Sequence, residues 1–184
     1  MKRLLNVKTI VATAIGAALF FVLGRFVAIP SPVPNTNISV QYGLLAFIAG
    51  LFGPVAGVLA GLIGHFFIDF SQPWGLWWSW IIASGFFGLI MGIISFRLKL
   101  DEGNFSTKSI VLFNVSQAAA HIVAWIVIAP VLDILIYAEP VNKVFIQGVV
   151  GAIVNIVTTA VVGTLLCIAY TTAIPKKGSL KEED

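Results

Sequence analysis

Cysteine is almost absent: Cys167 is the single thiol in 184 residues, so neither an internal disulfide nor a cysteine-rich metal site can form. Charge is scarce too. Asp, Glu, Lys and Arg make up 10% of the chain, against about 25% in ordinary soluble domains. The 11 basic residues outnumber the 8 acidic ones, but they sit at chain ends and loops and form no stripe, which excludes a nucleic-acid surface. No G-x-x-x-x-G-K-[ST] is present, so the chain binds no ATP through a P-loop of its own. H-E-x-x-H and G-x-S-x-G are missing, which argues against the familiar intramembrane metalloproteases and serine proteases. There is no charge ladder or acidic ring of an ion channel or proton relay, and no inverted repeat of a secondary transporter. No metal site and no cofactor are expected in the chain itself.

What the chain has instead is apolar length. Hydrophobic residues make up 59% of it, and the mean hydropathy is +1.01. A water-soluble globule of this size would need far more polar surface. A transmembrane helix takes about 20 mostly apolar residues, and such runs lie at 10–27, 42–53, 55–68, 76–96, 110–137 and 144–173. The second and third are short and separated by Gly53-Pro54, a turn signal. Pro130 predicts a kink or an early stop near Ala129 in the fifth. The expectation is an all-α integral membrane protein, one six-helix domain over 1–184, with a short basic N-terminus 1–8 and a charged tail 175–184.

Orientation follows from Lys and Arg. Lys2, Arg3, Lys8, Arg97, Lys99, Lys108, Lys176, Lys177 and Lys181 all fall on one side of a six-span chain; only Arg25 and Lys143 fall on the other. Both termini are therefore expected to be cytoplasmic. The outer connections are then 28–41, 70–75 and 138–142. The first reads AIPSPVPNTNISVQ, and its prolines and asparagines predict an ordered, extended loop.

Polar side chains inside a bilayer are costly, so each needs a reason. Asn114, Gln117, His121 and Trp125 share one face of the fifth helix; Lys143, Gln147, Gly151 and Asn155 repeat every four residues on the sixth. The third carries Gly57, Gly61, His65 and Asp69 at the same spacing, and the fourth opens with Trp77, Trp78 and Trp80, with Ser84 a turn later. His65, Asp69, Trp80, Ser84, Gln117, His121, Trp125 and Gln147 then lie at one depth in the outer half. Apolar and aromatic walls with a few placed hydrogen-bonding groups are the composition of a small-molecule pocket.

Several of these residues have structural readings beside the binding one. Trp77 and Trp78 suit an interfacial aromatic belt. Asn114 suits a bond to another helix, His121 a structural role, and Lys143 a snorkelling side chain. Asp69 could cap its helix, pair with Arg25 or meet a ligand. Asn35 and Asn37 could form turns or, with Gln41, reach over the pocket. The pairs Ala14/Ala18, Ala56/Ala60, Gly57/Gly61 and Gly88/Gly92 permit close helix approach, inside the bundle or against a partner. Two other functional classes stay open: an autonomous permease or small channel that needs no ATPase, and an intramembrane enzyme using His65 and Asp69.

The segments LGRFVAIPSPVPNTNISVQY (23–42) and WWSWIIASGFFG (77–88) resemble the S-components of energy-coupling factor (ECF) transporters, in a subgroup catalogued as an uncharacterised protein family. The resemblance covers essentially the whole chain. It implies a substrate-binding membrane subunit for a vitamin or vitamin precursor in the bacterial cell membrane, without enzymatic activity. The partners it implies are a transmembrane coupling protein and two ABC-type ATPases, which use the ATP. It also implies that the three outer loops cover the ligand and that Ala14 and Ala18, as an Ala-x-x-x-Ala pattern, face the coupling protein. Similar chains are linked to hydroxymethylpyrimidine, a thiamine precursor, and to pyridoxine-like vitamins, both small aromatic heterocycles.

Overall fold

Helix dominates the chain because long apolar runs satisfy their backbone groups internally. The computed structural model describes residues 6–33 and 36–175; Asn35, most of the basic N-terminus and nearly all of the charged tail lie outside the described residues. The order is α1 (Val7–Phe26), β1 (Ile29–Pro30), β2 (Asn37–Ile38), α2 (Gln41–Phe52), α3 (Pro54–Phe70), α4 (Trp78–Leu98), α5 (Thr107–His121), α6 (Ala129–Tyr137) and α7 (Val141–Ala173). A 3-10 turn at Leu100–Glu102 follows α4. Among the described residues, four stretches are long and apolar enough to cross a membrane: Val7–Phe26, Trp78–Glu102, Thr107–Tyr137 and Val141–Ala173. The 12-residue α2 and the 17-residue α3 are shorter.

Local sequence explains the breaks. Gly53 sits between α2 and α3 with φ 89°, and Pro54 follows at the first helical position of α3, where its missing N–H costs nothing. Asn6 caps α1 by accepting from the Thr9 N–H at 2.9 Å, and Ser106 caps α5 through the Ser109 N–H at 3.4 Å. Pro130 does not end its helix. The helix passes from α5 into α6 through a π-helical stretch, Ile122–Ile128, and continues to Tyr137. The wider turn directly precedes the proline, whose ring and missing N–H disrupt a regular i→i−4 ladder.

The centre of the bundle is built from Phe20, Tyr42, Leu45, Phe87, Met91 and Phe113, with alanines between them. α3 and α4 meet most closely: a methyl group on Gly57 or Gly88 would collide with the other's carbonyl oxygen. Large apolar side chains point outward all round, among them Phe96 at 74% exposure, Leu135 at 74% and Val115 at 64%. Such continuous apolar surface suits lipid, and the chain is an integral membrane protein. On α1, Thr13, Gly16, Ala17 and Phe20 face the core, whereas Ala14 and Ala18 are exposed on the opposite face. Internal packing of that pair is thereby excluded.

Candidate functional site

One end of the bundle holds a cavity of ≈ 150 Å³. Its walls come from the N-terminal turns of α2 and α4, the C-terminal turns of α3, the π stretch, α6 and the first half of α7. Described residues of the 28–41 loop border it. There β1 and β2 pair antiparallel, with Ile29 opposite Ile38 and Pro30 opposite Asn37, which gives the two described arms of the loop regular, extended structure. Thr36, Asn37 and Ser39 of this loop reach the cavity, and the Ser39 hydroxyl donates to Gln41 Oε1 at the start of α2.

A polar chain ties α2, α3 and α4 together beside this space. Asp69 Oδ2 accepts the backbone N–H of Trp77 at 3.0 Å, and Asp69 Oδ1 lies 3.6 Å from His65 Nε2. His65 Nδ1 meets Ser84 Oγ at 2.5 Å, and Ser84 Oγ meets Tyr42 OH at 2.8 Å. Spacing of four on α3 puts His65 and Asp69 on one face, as the sequence pattern implies. Of the alternatives for Asp69, the structure shows a carboxylate that holds the start of α4 while also lining the cavity.

A second network fixes the aromatic wall. Asp133 on α6 accepts from Trp80 Nε1–H at 2.7 Å and from the Ser79 hydroxyl. Trp80 stacks on Trp125, with centroids 5.5 Å apart and planes at 19°. Trp125 Nε1–H donates to His121 Nδ1 at 2.8 Å, which requires a lone pair on that nitrogen. The proton therefore sits on Nε2, 3.1 Å from Thr159 Oγ1 on α7. Glu139 and Lys143, at the mouth, pair at 2.7 Å.

The structure brings together most of the residues singled out from sequence, and sorts them. Asn37, Gln41, His65, Asp69, Trp77, Trp80, Trp125 and Gln147 line the cavity. Ser84, Gln117 and His121 do not: they are buried beneath it among the helices. His121 stacks on Phe87 at 4.2 Å, and Gln117 Nε2 donates to the Ile156 carbonyl at 3.2 Å. The α5 face that carries Gln117 and His121 meets α4 and α7 rather than open space, and Ser84 on α4 is held by Tyr42 and His65. Asn114 bonds α7 through Thr164 at 3.0 Å, the interhelical reading. Of the tryptophan pair, Trp77 faces the cavity and Trp78 is exposed beside Phe66.

Tyr42, Trp74 and Asp133 line the cavity too, and sequence reasoning passed over them. Asp133 carried a usable signal, since an acidic residue inside an apolar run is a functional hypothesis by default. Tyr42 and Trp74 carried none.

Comparison with known proteins gives a consistent result. Residues 4–172 match the family model of the ECF-type riboflavin transporter, S component. A UPF0397 protein of Exiguobacterium sp. (strain ATCC BAA-1283 / AT1b) is 56% identical over 176 residues, 96% of each chain. A UPF0397 protein of Staphylococcus aureus (strain Newman) is 51% identical over 182 residues, 99% of each. Among solved structures, the S-component for biotin from an ECF-type ABC transporter superposes with a TM-score of 0.63 at 16% identity. That match covers 91% of this chain and 93% of the other, and at such identity it speaks to the fold.

Proposed function

The chain belongs to the ECF-type S-component family, and from that premise we propose that it captures one small aromatic heterocycle, a vitamin or vitamin precursor, for ATP-driven import. Hydroxymethylpyrimidine and pyridoxine are the ligand types that fit best. The observation that carries this reading is the cavity itself: stacked Trp80 and Trp125 on one side, with Gln41, Asp69, Asp133 and Gln147 around it. Aromatic walls with a few placed polar groups bind a flat, hydrogen-bonding ring. A space of ≈ 150 Å³ is of the size that takes one six-membered ring. The ligand-contacting set in this reading is Asn35, Asn37, Gln41, His65, Asp69, Trp77, Trp80, Trp125 and Gln147, with Ser84, Gln117 and His121 holding the wall.

In the same reading the chain is one domain crossing the bacterial cell membrane six times, with α2 and α3 as the two short spans and both termini in the cytoplasm. It needs no cofactor. A transmembrane coupling protein and two ABC-type ATPases supply the energy, and the exposed Ala14/Ala18 face of α1 meets the coupling protein. The 28–41 loop restrains the bound ring, and its proline-restricted conformations lower the ordering cost of closure.

Titration of the purified chain with hydroxymethylpyrimidine, pyridoxine, riboflavin and biotin, followed by tryptophan fluorescence, tests the ligand. Saturable binding of a single-ring compound is expected. Co-purification with the coupling protein and ATPases tests the partners, and ATP-independent uptake by the chain alone in liposomes would overturn the ECF reading in favour of a permease.

A further inference from the structure

Two residues on α7, Gly151 and Asn155, face the cavity without a structural task in the bundle. Glycine in a helix interior destabilises it relative to alanine, so a close contact normally accounts for its presence. Gly148 has such a contact: a methyl there would strike the Trp125 carbonyl oxygen. Gly151 has none. A Cβ built on it meets nothing within 4 Å, although the residue lines the cavity. One turn deeper, Asn155 is 7% exposed and lines the same cavity, and its amide is not among the described side-chain groups that are wholly buried without a partner, so it keeps its contact with that open space. An amide in so narrow an opening gains most from a ligand that hydrogen-bonds it. Such a ligand reaches it from the cavity side, because the amide borders that space.

We propose that Gly151 and Asn155 form the specificity-determining face of the site: the ring of the ligand lies over Gly151, and the Asn155 amide reads a donor and acceptor on its edge. The inference rests on the aromatic-heterocycle reading above and deepens it. The chemical class it selects is a single ring carrying an acceptor nitrogen or hydroxyl beside an N–H or O–H donor, since a primary amide offers one carbonyl acceptor and two N–H donors. Asp133, which lines the same cavity, adds a second requirement. Its carboxylate disfavours a negatively charged substituent, so a ring bearing a carboxylate or phosphate is excluded relative to its neutral parent.

The test uses the full-length chain in detergent micelles, tryptophan fluorescence as the readout, and hydroxymethylpyrimidine, pyridoxine and pyridoxal phosphate as probes. Three variants are compared with the parent: Gly151→Ala, Gly151→Val and Asn155→Ala. None touches a tryptophan, and Gly151→Ala should keep or raise thermal stability, since alanine favours helix. Loss of affinity increasing from Gly151→Ala to Gly151→Val is expected, reaching tenfold or more with valine. Asn155→Ala should weaken binding about tenfold, as loss of a hydrogen bond in a desolvated site does. The phosphate-bearing probe should bind at least tenfold more weakly than pyridoxine. If a neutral ring binds the parent chain and binds folded Gly151→Val and Asn155→Ala equally well, this inference is overturned while the broader reading stands. If neither neutral ring binds the parent, the broader reading falls and this one with it.

Discussion

Asp133 Oδ2 accepts the indole N–H of Trp80 at 2.7 Å, so a carboxylate on α6 sets the plane of an aromatic ring on α4. The same carboxylate takes the Ser79 hydroxyl, and Trp80 in turn stacks on Trp125. One side chain thus joins three segments at the wall of the cavity. Asp133→Ala should leave two donors without a partner and free the Trp80 ring. A stability loss of ~1–3 kcal/mol is expected, seen as a lower Tm, together with weaker ring binding and a changed tryptophan emission. Asp133→Asn, which keeps an acceptor, should recover part of both.

His121 and Gln117 should separate support from contact. His121→Ala removes a ring packed between Phe87 and Trp125 and two hydrogen bonds, so it should lower stability by ~2–4 kcal/mol and weaken binding through Trp125. Gln117 leaves its Oε1 buried without a hydrogen-bond partner. Gln117→Leu should therefore cost less than ~1 kcal/mol or stabilise the fold, with ligand affinity unchanged. A large affinity loss in folded Gln117→Leu would put the site deeper on α5 than the cavity described.

Ala14 and Ala18 point away from the bundle. Ala14→Leu and Ala18→Trp should leave Tm and ligand affinity unchanged and abolish association with the coupling protein and ATPases, measured by co-purification. Intact assembly in both variants would free this face of α1 from any partner role.

Gly57 and Gly88 hold α3 against α4 backbone to backbone. Gly57→Val should push the helices apart at a cost of ~1–3 kcal/mol or more and displace both Asp69 and Trp77, which lie at the cavity end of the same pair. Reduced yield of folded protein and lost binding are the expected readouts. Retention of full binding would show that the helices can separate without disturbing the site.

Asn37 belongs to β2 and reaches the cavity from the loop above it. Replacing Asn35 and Asn37 with alanine should speed ligand dissociation more than it slows association, because a covering loop mainly controls escape. Stopped-flow fluorescence separates the two rates.

Hydropathy by itself settled that this chain lives in a bilayer, and Gly53-Pro54 settled where α2 ends and α3 begins. Spacing of four put His65 beside Asp69, and Gln147 in line with Gly151 and Asn155, because a helix repeats every 3.6 residues whatever surrounds it. The loop string at 23–42 carried the family. Tertiary structure decided which of those faces meets open space. Gln117 and His121 share a stripe with Trp125, yet only Trp125 reaches the cavity; the other two are covered by α4 and α7. Tyr42 and Asp133 entered the site through neighbours distant in sequence, Ser84 and Trp80. In a soluble protein the polar side of each helix would have marked the outside. Here lipid is as apolar as the core, so outward and inward faces read alike, and only the packing of the helices tells them apart.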